Sequence, residues 1–264
     1  MLEIFQYPFM QRAFIVGILI GVIIPLIGMI MVLKRLSMIG DALSHTALAG
    51  VAAGLAFNIN PIFAAIIFSV FSALGIEKIR KAIPKYGEIA IAVVMSTGIG
   101  LAAILSDYVK NANFHSFLFG SIVVITNFEL ILVVGLSFIV LLTLSLLYKE
   151  LFYITFDEES ARLAGIPVAI IRFIFTLLTA ITVSVSSRIV GTLVISSMIV
   201  LPVATAMQIG KSYWQTTVLS VIISVTTIVL GLFISFYSDF KPGGTIVIIN
   251  VICLIISLIR FKKQ

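Results

Sequence analysis

The chain has 264 residues, 61% of them hydrophobic and only 11% charged, where soluble domains carry about 45–50% and 25%. With a mean hydropathy of +1.26, its apolar surface exceeds what one core can bury, which excludes a soluble globule and makes lipid its natural solvent. The formal net charge of +6 therefore bears on membrane orientation, and no nucleic-acid partner is expected. The lone Cys253 excludes an intrachain disulfide or a multi-thiolate metal site and reads as a small buried hydrophobe.

In chain order, Met1 to Gln11 contains Glu3 but no positive cluster, and no Ala-x-Ala-like exit follows, so no cleaved signal peptide is expected. Ala13 to Leu33 is an uncharged run of 21 residues closed by Lys34 and Arg35, which predicts a first span. Ala42 to Gly75 is again uncharged, and the turn chemistry of Asn58-Ile59-Asn60-Pro61 divides it into spans two and three. Spans four to nine are predicted at Ile89–Ser106, Leu130–Tyr148, Val168–Ser187, Ile189–Gln208, Trp214–Tyr237 and Thr245–Ile259. The expectation is an all-α polytopic membrane protein of about nine spans forming one domain over 1–264.

Nine crossings put the termini on opposite sides, and short loops rich in Lys and Arg stay in the cytoplasm. A cytoplasmic carboxyl terminus gathers Lys34, Arg35, Lys78, Arg80, Lys81, Lys85, Lys149, Arg162, Arg172, Lys211, Arg260, Lys262 and Lys263 inside. Only Arg12, Lys110, Arg188 and Lys241 stay outside, so the amino terminus is expected outside.

Span two opens Met38-Ile39-Gly40-Asp41-Ala42-Leu43-Ser44-His45. Asp41 and His45 stand four residues apart, on one helical face, where a hard oxygen and a borderline nitrogen can converge on one divalent cation. A carboxylate in the bilayer costs about 3 kcal/mol on insertion scales and calls for a polar pathway or a partner. The competing reading makes Asp41 a helix N-cap at the cytoplasmic interface, with His45 bonded to a neighbouring helix. Spacing leaves the two even. Two protein ligands also fall short of a tight zinc site, which points to transient binding or to ligands from a second copy.

Between spans four and five, Asn111 to Ser121 is too polar to cross and too apolar for a solvated loop, which suggests a short re-entrant or gating helix near 114–121. His115 within it reads first as an interfacial hydrogen-bonder. The connection between spans five and six, Thr155 to Pro167, carries a capping-box pair in Thr155 and Glu158 and a stop in Gly165 and Pro167, predicting a short cytosolic helix near 156–165. Gly210-Lys211-Ser212 mimics the end of a phosphate-binding loop, but Thr205 stands where that motif needs glycine. Gly17-x-x-x-Gly21 and Gly50-x-x-x-Gly54 imply only close helix packing.

Four motifs then carry a family resemblance from about Met10 to Ile259: Gly40-Asp-Ala-Leu-Ser-His45, Phe117-Leu-Phe-Gly-Ser121, Phe156-Asp-Glu-Glu-Ser-Ala-Arg-Leu-Ala-Gly-Ile-Pro167 and Gly191-x-Leu-x-Ile-Ser-Ser-x-x-x-Leu-Pro202. The chain resembles the permeases of zinc/manganese/iron ATP-binding-cassette importers, with a type II importer-like fold. The resemblance implies a homodimeric permease of the bacterial cytoplasmic membrane. Two cytosolic ATPase subunits carrying ATP would drive it, and an extracytoplasmic metal-binding protein would feed it. It implies no catalysis by this chain and no resident cofactor, only a transported ion, zinc first and manganese or iron next. Asp41 and His45 become the pathway ligands. Asp157, Glu158, Ala161, Arg162, Leu163, Ala164 and Gly165 become the coupling helix, and Phe114, His115, Phe117 and Phe119 the outer gate. The rival class is a self-sufficient secondary carrier or channel. No second intramembrane acid suggests a relay for one, because Glu88, Asp107 and Glu129 fall at span ends.

Overall fold

The computed structural model describes residues 3–83, 86–109, 120 and 125–260. Its elements in order are α1 (Pro8–Leu33), α2 (Met38–Ala56), α3 (Pro61–Ala82), α4 (Gly87–Ser106), α5 (Asn127–Leu146), α6 (Tyr148–Phe156), α7 (Glu158–Leu163), α8 (Val168–Val190), α9 (Thr192–Ile209), α10 (Tyr213–Ser238) and α11 (Pro242–Arg260), with a 3-10 turn at Glu3–Gln6. Among the described residues, eight helices are long and apolar enough to cross a membrane, and α9 is a further apolar helix. The chain is thus an all-α multi-pass membrane protein, as the pattern of apolar runs predicts.

Local signals explain the boundaries. Asn60 accepts a hydrogen bond from the Ile62 amide at 2.9 Å and Pro61 takes the first helical position, so α3 starts where the sequence turn predicts. Thr126 and Glu129 form a capping box at the start of α5, with the Thr126 amide donating to Glu129 at 2.8 Å and the Glu129 amide to Thr126 at 3.2 Å. Glu129 is therefore buried with its acceptor in use. Ser212, read as no part of a phosphate loop, caps α10 by accepting from the Gln215 amide. Pro25 and Pro202 lie inside α1 and α9, which helices packed among neighbours tolerate.

The chain forms two compact units. One comprises Met38–Gly120 and Ala169–Ser196. Here α2 packs against both α3 and α4, and its small residues are the reason. Gly50 lies against the Ala64 carbonyl and Ala65, and Gly98 of α4 lies against Thr46. Ala47, Leu48, Ala49 and Val51 close a core with Ala65 and Ala102. Ser69 of α3 donates to the Leu43 carbonyl at 3.3 Å.

The other unit comprises Met1–Ser37, Ser121–Val168 and Ser197–Gln264. In it α1 packs on α10 and α10 on α11. Gly17 and Gly21 meet Ile228, and Gly21 also Val225, so the first small-residue pair serves packing, as expected. Between α10 and α11, Thr227 donates to Asn250 at 3.2 Å, satisfying both inside the bundle.

Candidate functional site

Asp41 is the fourth residue of α2, one turn inside the helix. It does not cap that helix. Its Oδ1 instead accepts a hydrogen bond of 2.7 Å from the Ser196 hydroxyl, in the first turns of α9. His45 follows one turn on, with Nε2 3.6 Å from the same Oδ1. That gap is too long for a hydrogen bond. Two donors each about 2.1 Å from one ion at a tetrahedral angle would stand about 3.4 Å apart. The pair can therefore share a divalent cation with little rearrangement. Its side chains are part-buried, 29% exposed for Asp41 and 18% for His45. Among the described residues, no three His, Cys, Asp or Glu side chains cluster as metal ligands. Water, a hydroxyl or a second copy of the chain could complete a coordination sphere around the pair.

The helix that carries the pair is fixed from behind. Thr46 is buried, and its hydroxyl donates to the Leu43 carbonyl at 3.0 Å while its backbone lies against Gly98. Ser44 is fully buried and donates to the Asp41 carbonyl at 2.8 Å. The face bearing Asp41 and His45 is the one left partly open.

The short cytosolic helix of the sequence reading is α7, six residues long. Its cap differs from the expected one. Thr155 lies inside α6, where its hydroxyl donates to the Leu151 carbonyl, so it is spent on its own helix. Asp157 caps instead, accepting from the Ser160 hydroxyl at 2.6 Å and the Ser160 amide at 2.9 Å. These two bonds, the hydroxyl first, hold the Asp157 carboxyl below the usual carboxylate range. Glu158 pairs with Lys34 at 3.3 Å, tying α7 to the end of α1. Gly165, at φ +81°, lets the Ile166 amide reach back to the Ala161 carbonyl at 3.1 Å and closes the helix. Ala161 is buried, whereas Leu163 is 89% exposed. Arg162 is largely exposed, so the outer face of α7 offers an apolar and a cationic side chain side by side.

The sequence profile of the ABC 3 transport family matches residues 6–261. The chain belongs to the ABC 3 transport family. Similar to it within that family are the Treponema pallidum "Probable metal transport system membrane protein", 35% identical over 252 residues and 95% of both chains, and the Streptococcus parasanguinis "Manganese import system permease protein ScaB", 30% identical over 98% of this chain and 93% of the relative. The Haemophilus influenzae "High-affinity zinc uptake system membrane protein ZnuB" is 27% identical over 98% of this chain and 99% of its own. Among solved structures, "PsaBC from Streptococcus pneumoniae in complex with Fab" matches with a TM-score of 0.87 and 28% identity, over 97% of this chain and 92% of that one.

In this ABC 3 permease two sequence motifs far apart in the chain meet. Gly120, at φ +76°, has its α-carbon so close to the break between α8 and α9 that a β-carbon there would stand 2.3 Å from the Val190 carbonyl group. Gly191, at φ +108°, makes the break itself. The residues expected to form an outer gate, Phe114, His115, Phe117 and Phe119, lie outside the described residues.

Two polar side chains with partners far along the chain escape a reading of the sequence. Ser196 is one. Its signal was present, a pair of hydroxyls at Ser196 and Ser197 in an apolar helix, but its partner is 155 positions away. The other is Glu77. The sequence treats residues after Gly75 as a flank, yet α3 runs to Ala82. Glu77 forms ion pairs with Arg172 at 3.0 Å and with Lys81 at 3.3 Å, and accepts a hydrogen bond from the Thr176 hydroxyl at 3.4 Å. Its charge is matched by two cations.

Proposed function

We propose that the chain is the membrane subunit of an ATP-driven importer of divalent transition-metal ions, and that Asp41 and His45 hold the ion in transit. The observation that carries this is the two donors 3.6 Å apart, part-buried on one face of α2, in a permease of this family. The names of the relatives ScaB and ZnuB, a manganese import permease and a zinc uptake protein, support the substrate class. Zinc heads the proposal on the motif's resemblance, with manganese and iron next, because a carboxylate and an imidazole serve all three.

The partner of Asp41 supports a pathway role over an interfacial cap, since its carboxylate accepts from Ser196 of a second helix. By the count of crossings α2 and α9 run in opposite directions, yet Asp41 and Ser196 meet while each lies in the first turns of its helix. Through a hydrocarbon core about 30 Å thick, two antiparallel spans meet near their starts only where at least one of them begins inside it.

In the proposed mechanism two copies of the chain form the pathway and a second Asp41 and His45 complete the coordination. The amino terminus is outside, which leaves the basic helix ends Lys34, Arg80, Lys81 and Arg260 on the cytosolic side. An extracytoplasmic protein delivers the ion past the segment near 114–121. Two cytosolic ATPase subunits grip the α7 region, Asp157 to Gly165, where exposed Leu163 and Arg162 supply the contact. Transport needs a site whose affinity changes between states, and a loose two-donor set per copy suits that.

Uptake of radioactive zinc and manganese by cells carrying Asp41→Ala or His45→Ala tests the reading. Both variants are expected at wild-type levels in the membrane with uptake abolished. Normal uptake in both would defeat it.

A further inference from the structure

We infer that Ser196 is a positioning residue for the transported ion, setting the direction of the Asp41 carboxylate through a single hydroxyl. The inference rests on the reading of Asp41 and His45 as ion ligands and names a residue that reading did not contain.

Asp41 Oδ1 is the common vertex of the site, 2.7 Å from Ser196 Oγ and 3.6 Å from His45 Nε2. A hydroxyl donating to a carboxylate oxygen at 2.7 Å is a short, charge-assisted bond. It occupies one acceptor direction of Oδ1, removes rotamer freedom from Asp41 and leaves a second direction of Oδ1 toward the imidazole. Ser196 itself retains its lone pairs, so its oxygen can add a hard donor beside the carboxylate. Lengthening that bond would release the carboxylate, loosening the grip on the ion without any change of ligand.

The placement of Ser196 is itself constrained. It stands five residues after Gly191, in the first turns of α9, and Val194 and Ile195 just before it are buried. Gly191 takes a backbone angle that L side chains rarely adopt, and Gly120 packs on the carbonyl group that precedes it. Backbone placement at the α8–α9 break therefore decides where the Ser196 hydroxyl points.

The test uses the permease with its ATPase subunits in proteoliposomes, with ATP and the metal-binding protein, and measures initial uptake of radioactive zinc and manganese against concentration. Ser196→Ala is expected to raise KM about tenfold, the effect of one lost hydrogen bond to a charged group, with Vmax within about twofold. Alanine is smaller and a better helix former, and Vmax is normalised to the amount of complex. Ser196→Thr keeps the hydroxyl and is expected to restore KM to within about twofold of wild type. Wild-type KM in Ser196→Ala would overturn the inference, as would Ser196→Thr impaired as severely as Ser196→Ala, since packing rather than the hydroxyl would then matter. Asp41→Ala measured beside them separates the layers. Its failure to transport while Ser196→Ala stays normal removes only the role of Ser196, whereas normal transport by Asp41→Ala removes the site and this inference with it.

Discussion

Replacing Gly98 by alanine perturbs the site from behind. A β-carbon at this position of α4 would stand 2.6 Å from Thr46 Cγ2, 3.0 Å from the Thr46 amide nitrogen and 3.1 Å from its α-carbon. The methyl cannot simply swing aside, because the Thr46 hydroxyl is bonded to the Leu43 carbonyl at 3.0 Å and the nitrogen belongs to the backbone. Ordinary contact begins near 3.4 Å, so with the methyl held at 2.6 Å α2 must recede by about 0.8 Å at the residue next to His45. Overpacking of this kind costs about 1–3 kcal/mol. At roughly a hundredfold per ångström of misplacement, the displaced ligand helix raises the KM for metal uptake about fortyfold. Gly100 of the same helix is the internal control, since nothing lies within 4 Å of a β-carbon there. Gly100→Ala is expected to match or slightly exceed the wild-type melting temperature through helix propensity. Thermal melting in detergent and concentration-dependent uptake, run on both variants, read the two effects. Wild-type stability and KM in Gly98→Ala would refute the claim that α4 sets the position of α2.

Three further outcomes are expected. Asp157→Ala removes the acceptor for two Ser160 donors, so ATP hydrolysis by the assembled complex continues while uptake per ATP falls, and Asp157→Asn, which keeps an acceptor, is nearer wild type. Because the Asp157 carboxyl is held below its ordinary value of 3.8, its capping contribution is present in full above that value and is lost only as the pH falls through the lower folded value. Coupling, measured as uptake per ATP, should therefore not change between about pH 5 and 8 through this group. Arg172→Met leaves Glu77 with Lys81 as its one cationic partner among the described residues, which should destabilise the protein by about 1–3 kcal/mol. The double variant Glu77→Gln, Arg172→Met should melt higher than Arg172→Met alone, since no part-buried charge is then left under-compensated.

Much of the fold was legible because lipid leaves few options. Uncharged runs such as Ala13 to Leu33 can only be helices at membrane depth, and they recur as α1 to α5 and α8 to α11. The turn at Asn60 and Pro61 was equally plain, since its chemistry is local. The cap of α7 was misassigned for a reason equally local. Thr155 and Asp157 are both good caps, and which one serves depends on how far α6 continues, a choice the Leu151 carbonyl makes by engaging Thr155. Within the site, i and i+4 spacing was enough to bring Asp41 and His45 to one face. Ser196 was beyond reach, because a bond across 155 positions is a property of packing rather than of pattern. Glu77 was missed for the opposite reason. Its partners Arg172 and Thr176 lie on another helix, and without them an acid near Gly75 reads as the end of a span.

Anomalous diffraction from crystals of the permease–ATPase complex, soaked with zinc or manganese and measured at the metal's absorption edge, tests the ion site without relying on transport. The expected result is an anomalous peak about 2.0–2.2 Å from an Asp41 oxygen and from a His45 ring nitrogen, lost in His45→Ala. A peak bound elsewhere in the membrane-spanning region, with Asp41 still bonded to Ser196 and His45 without metal, would contradict it.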